Sequence, residues 1–470
     1  MLPKVISFEL NEVPWRVIDH FVASHPESVL ARTLPRMDQF ETVAEDTALS
    51  PWITWPSLHR GVGDEQHTIS DFNQDLSEVD RAYPTVWEIL NSHGVSTGVF
   101  GSLHTHPLPE EVEKHAFYVP HPFASDSRCH PSQYEAFQAF SLSMTRESAR
   151  NVSTRVPAAQ AARFLKSAHR LGIQPRTAMA TVMQLIDEKR RSWTKVRRRS
   201  FQTILAFDIF MRALETEKPA FTTFFTNHVA SAMHRYWAAL YPMDYDSFDF
   251  TPEWVATYRN EILWTMSAVD RMLARLIAFV DSNPGYELWM SSSMGQAATS
   301  TQVAQTQVFL KDVPAFMAAI GFSPDEWEIR PAMLPRVIVA TKNADAAARF
   351  EQKLATIQVS DSGFLPWKHL GAGVFRIHPG CLFNVTREVV KVGNLDRPFA
   401  ELGFANVVIQ DSVGQSAYHV PKGSLLVYSP ERQRPAETYR RELSTLEIAP
   451  ALLKRFGVER PAYMQASSLN

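Results

Sequence analysis

Short, dense apolar runs alternate along the chain with longer stretches whose apolar residues recur at helical spacing. Lys4 to Leu10 is β-branched and apolar and stops at Asn11, which predicts a buried strand ending in a polar loop. Thr85 to Ser92 predicts a helix start, and Val95 to Phe100 a second strand behind His93-Gly94. Ala220 to Thr226, aromatic and β-branched, predicts a third strand. Pro252 to Val280 predicts one long amphipathic helix, with Trp254, Ile262, Met266, Val269, Met272 and Ile277 on a shared face. Tyr286 to Met290 predicts another strand, running into Ser291-Ser292-Ser293-Met294-Gly295. Strand and helix in alternation imply an α/β fold with a mainly parallel sheet flanked by helices.

Two segments break this rhythm. From Ser132 to Glu217 only Pro157, Gly172 and Pro175 interrupt a run rich in Gln, Ala, Arg and Leu, so several helices are expected there. Between Val303 and Phe383 the style changes again: Val337 to Ala340, Ala344 to Thr356 and Val374 to Ile377 suggest a small α+β insertion. Asn406 to Ile409 is expected to resume the main sheet, and Tyr418 to Tyr428 to give a loop and a strand. The domain reading is therefore an α/β core over 1–131, 219–302 and 405–470, a helical insertion over 132–218 and an α+β insertion over 303–404.

Composition narrows the possibilities. The chain has 470 residues, 45% hydrophobic and 21% charged, which excludes wholesale disorder. Two cysteines cannot make a disulfide framework or a cysteine-based zinc site. No apolar stretch reaches the ~18 residues of a membrane span, and the first apolar run is too short for a signal sequence, so a cytoplasmic protein with no membrane span is expected. No nucleic-acid module is recognisable. Charge is segregated: Ser141 to Ser200 carries fourteen Lys and Arg against three acids, in a chain whose net charge is −3. Arg197, Arg198 and Arg199 fall in the densest part. Two expectations stand: a solvated helix face, or a collar steering an anionic substrate and contributing binding residues.

In a parallel sheet, ligands sit beyond the carboxyl ends of the strands. Those ends offer Glu9, Asn11, His104, His106, Asn227, His228, the run Ser291 to Met294, and His419. The order of these pieces resembles the alkaline phosphatase superfamily, in particular its type I phosphodiesterase and nucleotide pyrophosphatase branch. Glu9 stands where that family has a metal-binding Asp. Thr54, in Thr54-Trp55-Pro56, stands in the place of its nucleophilic Thr. Asn227 and His234 match an Asp and a His that follow a strand, and His419, before Val420-Pro421-Lys422-Gly423, matches its final His. The family's Ser-Asp-His-Gly-Met appears as Ser292-Ser293-Met294-Gly295-Gln296, without its two ligands.

The resemblance implies an alkaline phosphatase-like fold, and a phosphodiesterase-like hydrolase or a phosphoryl or glycosyl-phosphate transferase. The substrate would be an anionic organic phosphoester or glycan-phosphate, attacked by Thr54. Glu9, Asn227, His228, His234 and His419 are the metal-ligand candidates. His234 and His419, joined by Asn227 or His228, leave room for one divalent ion, zinc above others, or for none. His104 and His106 are acid/base candidates, and Asn11 a substrate-binding one. The alternative is a repurposed, metal-poor member of the fold, acting as a metal-independent transferase or a binding protein, with oligomer formation open in either case.

Overall fold

The first apolar run forms the centre of the molecule's main sheet. In the computed structural model, which describes residues 3–71, 74–146, 158–330, 332 and 335–469, that sheet has eight strands. They are β1 (Lys4–Leu10), β2 (Asp38–Val43), β3 (Thr97–Phe100), β4 (Phe117–Val119), β5 (Phe221–Thr226), β6 (Tyr286–Ser291), β7 (Lys422–Tyr428) and β8 (Arg441–Ser444). Their spatial order is β8-β2-β7-β6-β1-β5-β3-β4. β1 pairs in parallel with both β5 and β6, with Glu9 level with Phe225 on one side and Ser291 on the other. Being covered on both faces explains why β1 is buried from Val5 to Leu10 instead of on alternate residues.

The sheet is mixed, not parallel throughout. β7 runs antiparallel to its neighbours β6 and β2, while the other pairings are parallel. The carboxyl ends of β1, β2, β3, β5 and β6 thus share an edge with the start of β7.

Five helices build the surroundings of that edge and the basic segment: α1 (Pro51–Arg60), α2 (Pro175–Arg190), α3 (Arg198–Glu217), α4 (His228–Leu240) and α5 (Glu261–Ser282). α1 begins with Pro51 at its first position and ends at Gly61, whose φ of +63° is the left-handed stop that glycine accepts most readily. The long helix expected over Pro252–Val280 is two, Pro252–Tyr258 and α5, with a break at Arg259 and Asn260. No Pro or Gly makes this break. The hydroxyl of Thr251 caps the first helix, and Glu261 opens the second with its carboxylate turned to Arg197. Aromatic packing welds α3 to the sheet: Phe210 stacks on Phe224 at 4.7 Å, and Phe224 lies 5.6 Å from Phe100.

Chain contacts divide the protein into two units, 1–142 with 157–301 and 415–470, and 143–156 with 302–414. The helices of the basic segment, from Ala158 to Glu217, belong to the first unit. The second unit has its own core, in which Phe316, Phe350, Phe375 and Phe404 are buried. Phe404–Val408 pairs there with Thr306–Leu310, so the segment expected to resume the main sheet does not join it. The chain leaves the first unit along Gly295–Val303 and returns along Val413–Val420. Gly295 is required at the exit: a Cβ there would meet the Lys422 carbonyl oxygen at 2.0 Å. Among the described residues no helix is long and apolar enough to cross a membrane.

Candidate metal centre

Glu12, His234 and His419 meet beyond the carboxyl end of β1. Each offers one donor atom, and the three lie within 4.8 Å of one another. Glu12 Oε2 is 3.1 Å from His234 Nε2 and 3.4 Å from His419 Nε2. Glu12 lies just past the strand, His234 in α4, and His419 near the end of the returning strand Val413–Val420.

Each ring is oriented from behind. His234 Nδ1–H donates to the Ala417 carbonyl and His419 Nδ1–H to the Leu49 carbonyl, both at 2.8 Å. In the neutral rings this leaves the Nε2 lone pairs facing Glu12, and metal-binding histidines are held in the same way. Glu12 is buried and receives the amides of Asn11, at 2.7 Å, and of Gln296. Burial pushes its carboxyl up, but His419 and His234 outweigh that and hold it well below the usual range. His419 moves the other way: burial lowers it, and Glu12 beside it raises it above an ordinary histidine.

The donor set fits a metal ion. His419 Nε2 is buried and faces Glu12 Oε2 at 3.4 Å without a well-formed hydrogen bond, which leaves its lone pair open to an ion. A tetrahedral ion with bonds of about 2.0–2.1 Å sets its ligands roughly 3.3–3.4 Å apart, close to the two separations from Glu12. Two histidines and one carboxylate are a ligand set that catalytic zinc uses, and such a set also suits other first-row divalent ions.

Of the residues singled out from sequence, His234 and His419 reach this cluster. Glu9 does not: its Oε1 is bonded to His59 Nε2 at 2.9 Å in the interior. Asn227 supports the cluster at one remove, accepting from Asn11 at 2.8 Å, while Asn11 also accepts from the Trp55 indole at 2.8 Å. Asn11 is thus a brace for Glu12. His228 turns away, toward a recess it shares with Arg199, Ser231 and Arg235, and burial pushes its imidazole down to about 4. Thr54 is fully enclosed in α1, its hydroxyl 2.8 Å from that of Ser293 and 3.2 Å from the Ser50 carbonyl. Ser293 and Thr54 therefore stand side by side at the strand ends. His104 is tied to the Trp52 carbonyl at 2.8 Å, and burial lowers it to about 3. His106 lies 3.4 Å from Asp126 and 3.3 Å from the Ser125 hydroxyl. Neither is among the three donors.

The arginine tract is largely spoken for. Arg197 forks onto buried Glu261 at 2.6 and 2.9 Å, and Arg198 onto buried Glu188 at 2.6 and 2.8 Å. Arg199 donates to Ser231 at 3.1 Å. A freely exposed collar of these three does not form, because buried carboxylates within the same unit take two of them.

Sequence reasoning missed Glu12. The available signal was an acid directly following the polar stop of β1. It also missed a buried trio, Asp46, Ser57 and His67, with the composition of a catalytic triad. His67 Nδ1 accepts from the Ile69 amide at 2.9 Å, so its proton sits on Nε2 and points to Ser57 Oγ, 2.8 Å away. Ser57 in turn donates to Asp46. His67 therefore gives a hydrogen bond to the serine where a general base would take one, and the trio is structural. No protein-family model matches this chain, and no curated protein is significantly similar to it.

Proposed function

We propose that this protein is a hydrolase of anionic phosphoesters that works with one divalent ion, zinc first, at Glu12, His234 and His419. One observation carries the reading: a buried carboxylate faces two imidazoles whose tautomers are set by backbone carbonyls, with all three donor atoms within 4.8 Å of one another. The substrate class rests on the resemblance to alkaline phosphatase-like phosphodiesterases and on the side-by-side hydroxyls of Thr54 and Ser293.

A divalent ion in this set supplies Lewis acidity toward a phosphoryl oxygen and eases deprotonation of an attacking hydroxyl or water. The chain's own part is orientation and charge. Glu12 offsets part of the ion's charge, and Asn11 and Gln296 keep its carboxylate in place. The Leu49 carbonyl that holds His419 lies just before Ser50 and α1, so the imidazole and the Thr54 helix are set by one short segment. By the resemblance Thr54 would be the nucleophile, and because it is enclosed, α1 or its lead-in would have to shift for a substrate to reach it.

A second reading has an observation of its own. Glu12 and His419 shift each other's protonation in the sense of an ion pair, which could close the site without metal and leave a binding protein or metal-independent transferase. Elemental analysis after dialysis against zinc, paired with turnover of bis(p-nitrophenyl) phosphate, separates the two. The first reading expects one ion per chain and metal-dependent turnover. It also expects His419→Ala to lower kcat/KM by at least roughly 100-fold, since even outer-sphere partners of metal ligands cost 10–100-fold. Protein that binds no ion and turns over nothing would favour the second.

A further inference from the structure

Helix α2 is amphipathic the wrong way round. Its buried positions are polar: Thr177, Gln184 and Glu188 face inward. They are satisfied there, Gln184 donating to Glu188 Oε1 at 3.0 Å and to the Thr194 carbonyl at 2.8 Å, and Glu188 accepting from Arg198. These bonds fix the rotation of the helix about its axis. Its outward face is then apolar: Met179, Val182, Met183 and Ile186 follow one another at helical spacing and are 62%, 52%, 54% and 42% exposed. The preceding helix, Ala158–Ser167, adds Leu165 at 69%. Folding alone does not explain several large apolar residues turned outward while polar ones are turned in.

Charge says what covers them. Arg163, Lys166, Arg170, Arg176, Lys189 and Arg190 are exposed on the same two helices and the turn between them. Among the described residues no carboxylate forms an ion pair with any of the six, whereas Arg191 pairs with Asp187. Apolar residues projecting from a basic surround match an interfacial helix, whose apolar side enters the acyl boundary while its cations meet anionic headgroups. A second copy of this chain would set the same basic surround against itself. We propose that α2, with the end of the helix before it, docks this protein peripherally on an anionic lipid surface.

Co-sedimentation of the full chain with phosphatidylcholine vesicles, with and without phosphatidylserine, tests this. Binding is expected only with phosphatidylserine, and it should weaken as salt rises. Met179→Gln/Met183→Gln/Ile186→Gln should abolish it, and Arg176→Gln/Lys189→Gln/Arg190→Gln should weaken it on the order of 100-fold at low salt, about fivefold per charge. All six side chains are exposed, so both variants should keep the parent's far-UV circular dichroism and its metal content. Failure of the parent to bind phosphatidylserine vesicles, or equal binding by parent and both variants, overturns the proposal. So does a dimer in sedimentation velocity that the apolar triple variant dissociates, in a parent that ignores vesicles; the face would then belong to a second copy. None of these outcomes touches the metal site, which is tested separately.

Discussion

Glu12 takes a φ of +61°, in the left-handed region that costs a residue with a Cβ on the order of 1 kcal/mol or more. That turn is why Glu12 escaped a reading of the sequence. Side chains inside β1 alternate between faces, so the direction of Glu9 follows from strand periodicity, and Glu9 does sit in the interior, against His59. Past Leu10 the alternation stops, and nothing in the residue pattern says where a left-handed Glu will point. His234 and His419 were legible because their neighbours carried a recognisable order. The Asp46 trio shows a second kind of hidden information, in protonation. Burial pushes Asp46 up to about 6, against an unfolded value near 4. Between those two values the folded state takes up a proton that the unfolded state does not, so this group's contribution to stability falls as pH rises from about 4 to 6. Asp46→Asn keeps the acceptor for Ser57 and removes the charge. It should therefore stabilise the protein at pH 7 by on the order of 2–3 kcal/mol and gain little near pH 4, in denaturant titrations at both values. An equal gain at both pH values would mean that burial of the charge is not the cause.

At the level of elements, the helices of the basic segment could be read from its scarcity of Pro and Gly, but the partners of its arginines could not. Glu188 lies within the segment, ten residues before Arg198, and Glu261 lies far along the chain. Local composition therefore overstates the charge left over. The α3 entrance depends on these pairs: Glu261 is 2% exposed and takes both hydrogen bonds of the Arg197 fork. Arg197 also lies over the Trp264 ring at 4.6 Å, so its position is fixed from two sides. Glu261→Gln should leave a half-buried guanidinium without its counter-charge and cost about 2–3 kcal/mol, somewhat less than for a fully buried pair because Arg197 keeps some contact with solvent. Guanidinium-induced unfolding with an unchanged m-value would register this as a lower midpoint. A variant as stable as the parent would show that solvent screens the pair.

For the whole molecule, strand and helix alternation revealed an α/β sheet but not the reversal of β7. An apolar run reads the same in either direction, and the direction of a strand is set by a connection, here one that leaves through the second unit. The same topology brings Glu12, His234 and His419 from distant elements to one edge, so an ion bound there would tie β1, α4 and the returning strand together. Zinc at about 100 times its dissociation constant should stabilise the fold by roughly 2.7 kcal/mol, provided the unfolded chain does not bind it. Thermal scans of the parent with zinc and with chelator should differ accordingly, and Glu12→Gln should show little difference between the two. Equal midpoints for the parent in both would mean that the cluster is closed by its own ion pair.

The placement of those three residues also has a consequence in time. On a ribosome, Glu12 emerges before His234 and His234 before His419. At roughly 5–20 residues per second, some 20–80 s separate the first from the last. Through that interval a nascent chain offers a passing cation two partners at most, too few to hold it firmly. If the proposed ion binds, it would therefore be held firmly only once His419 has emerged and the three donors have met.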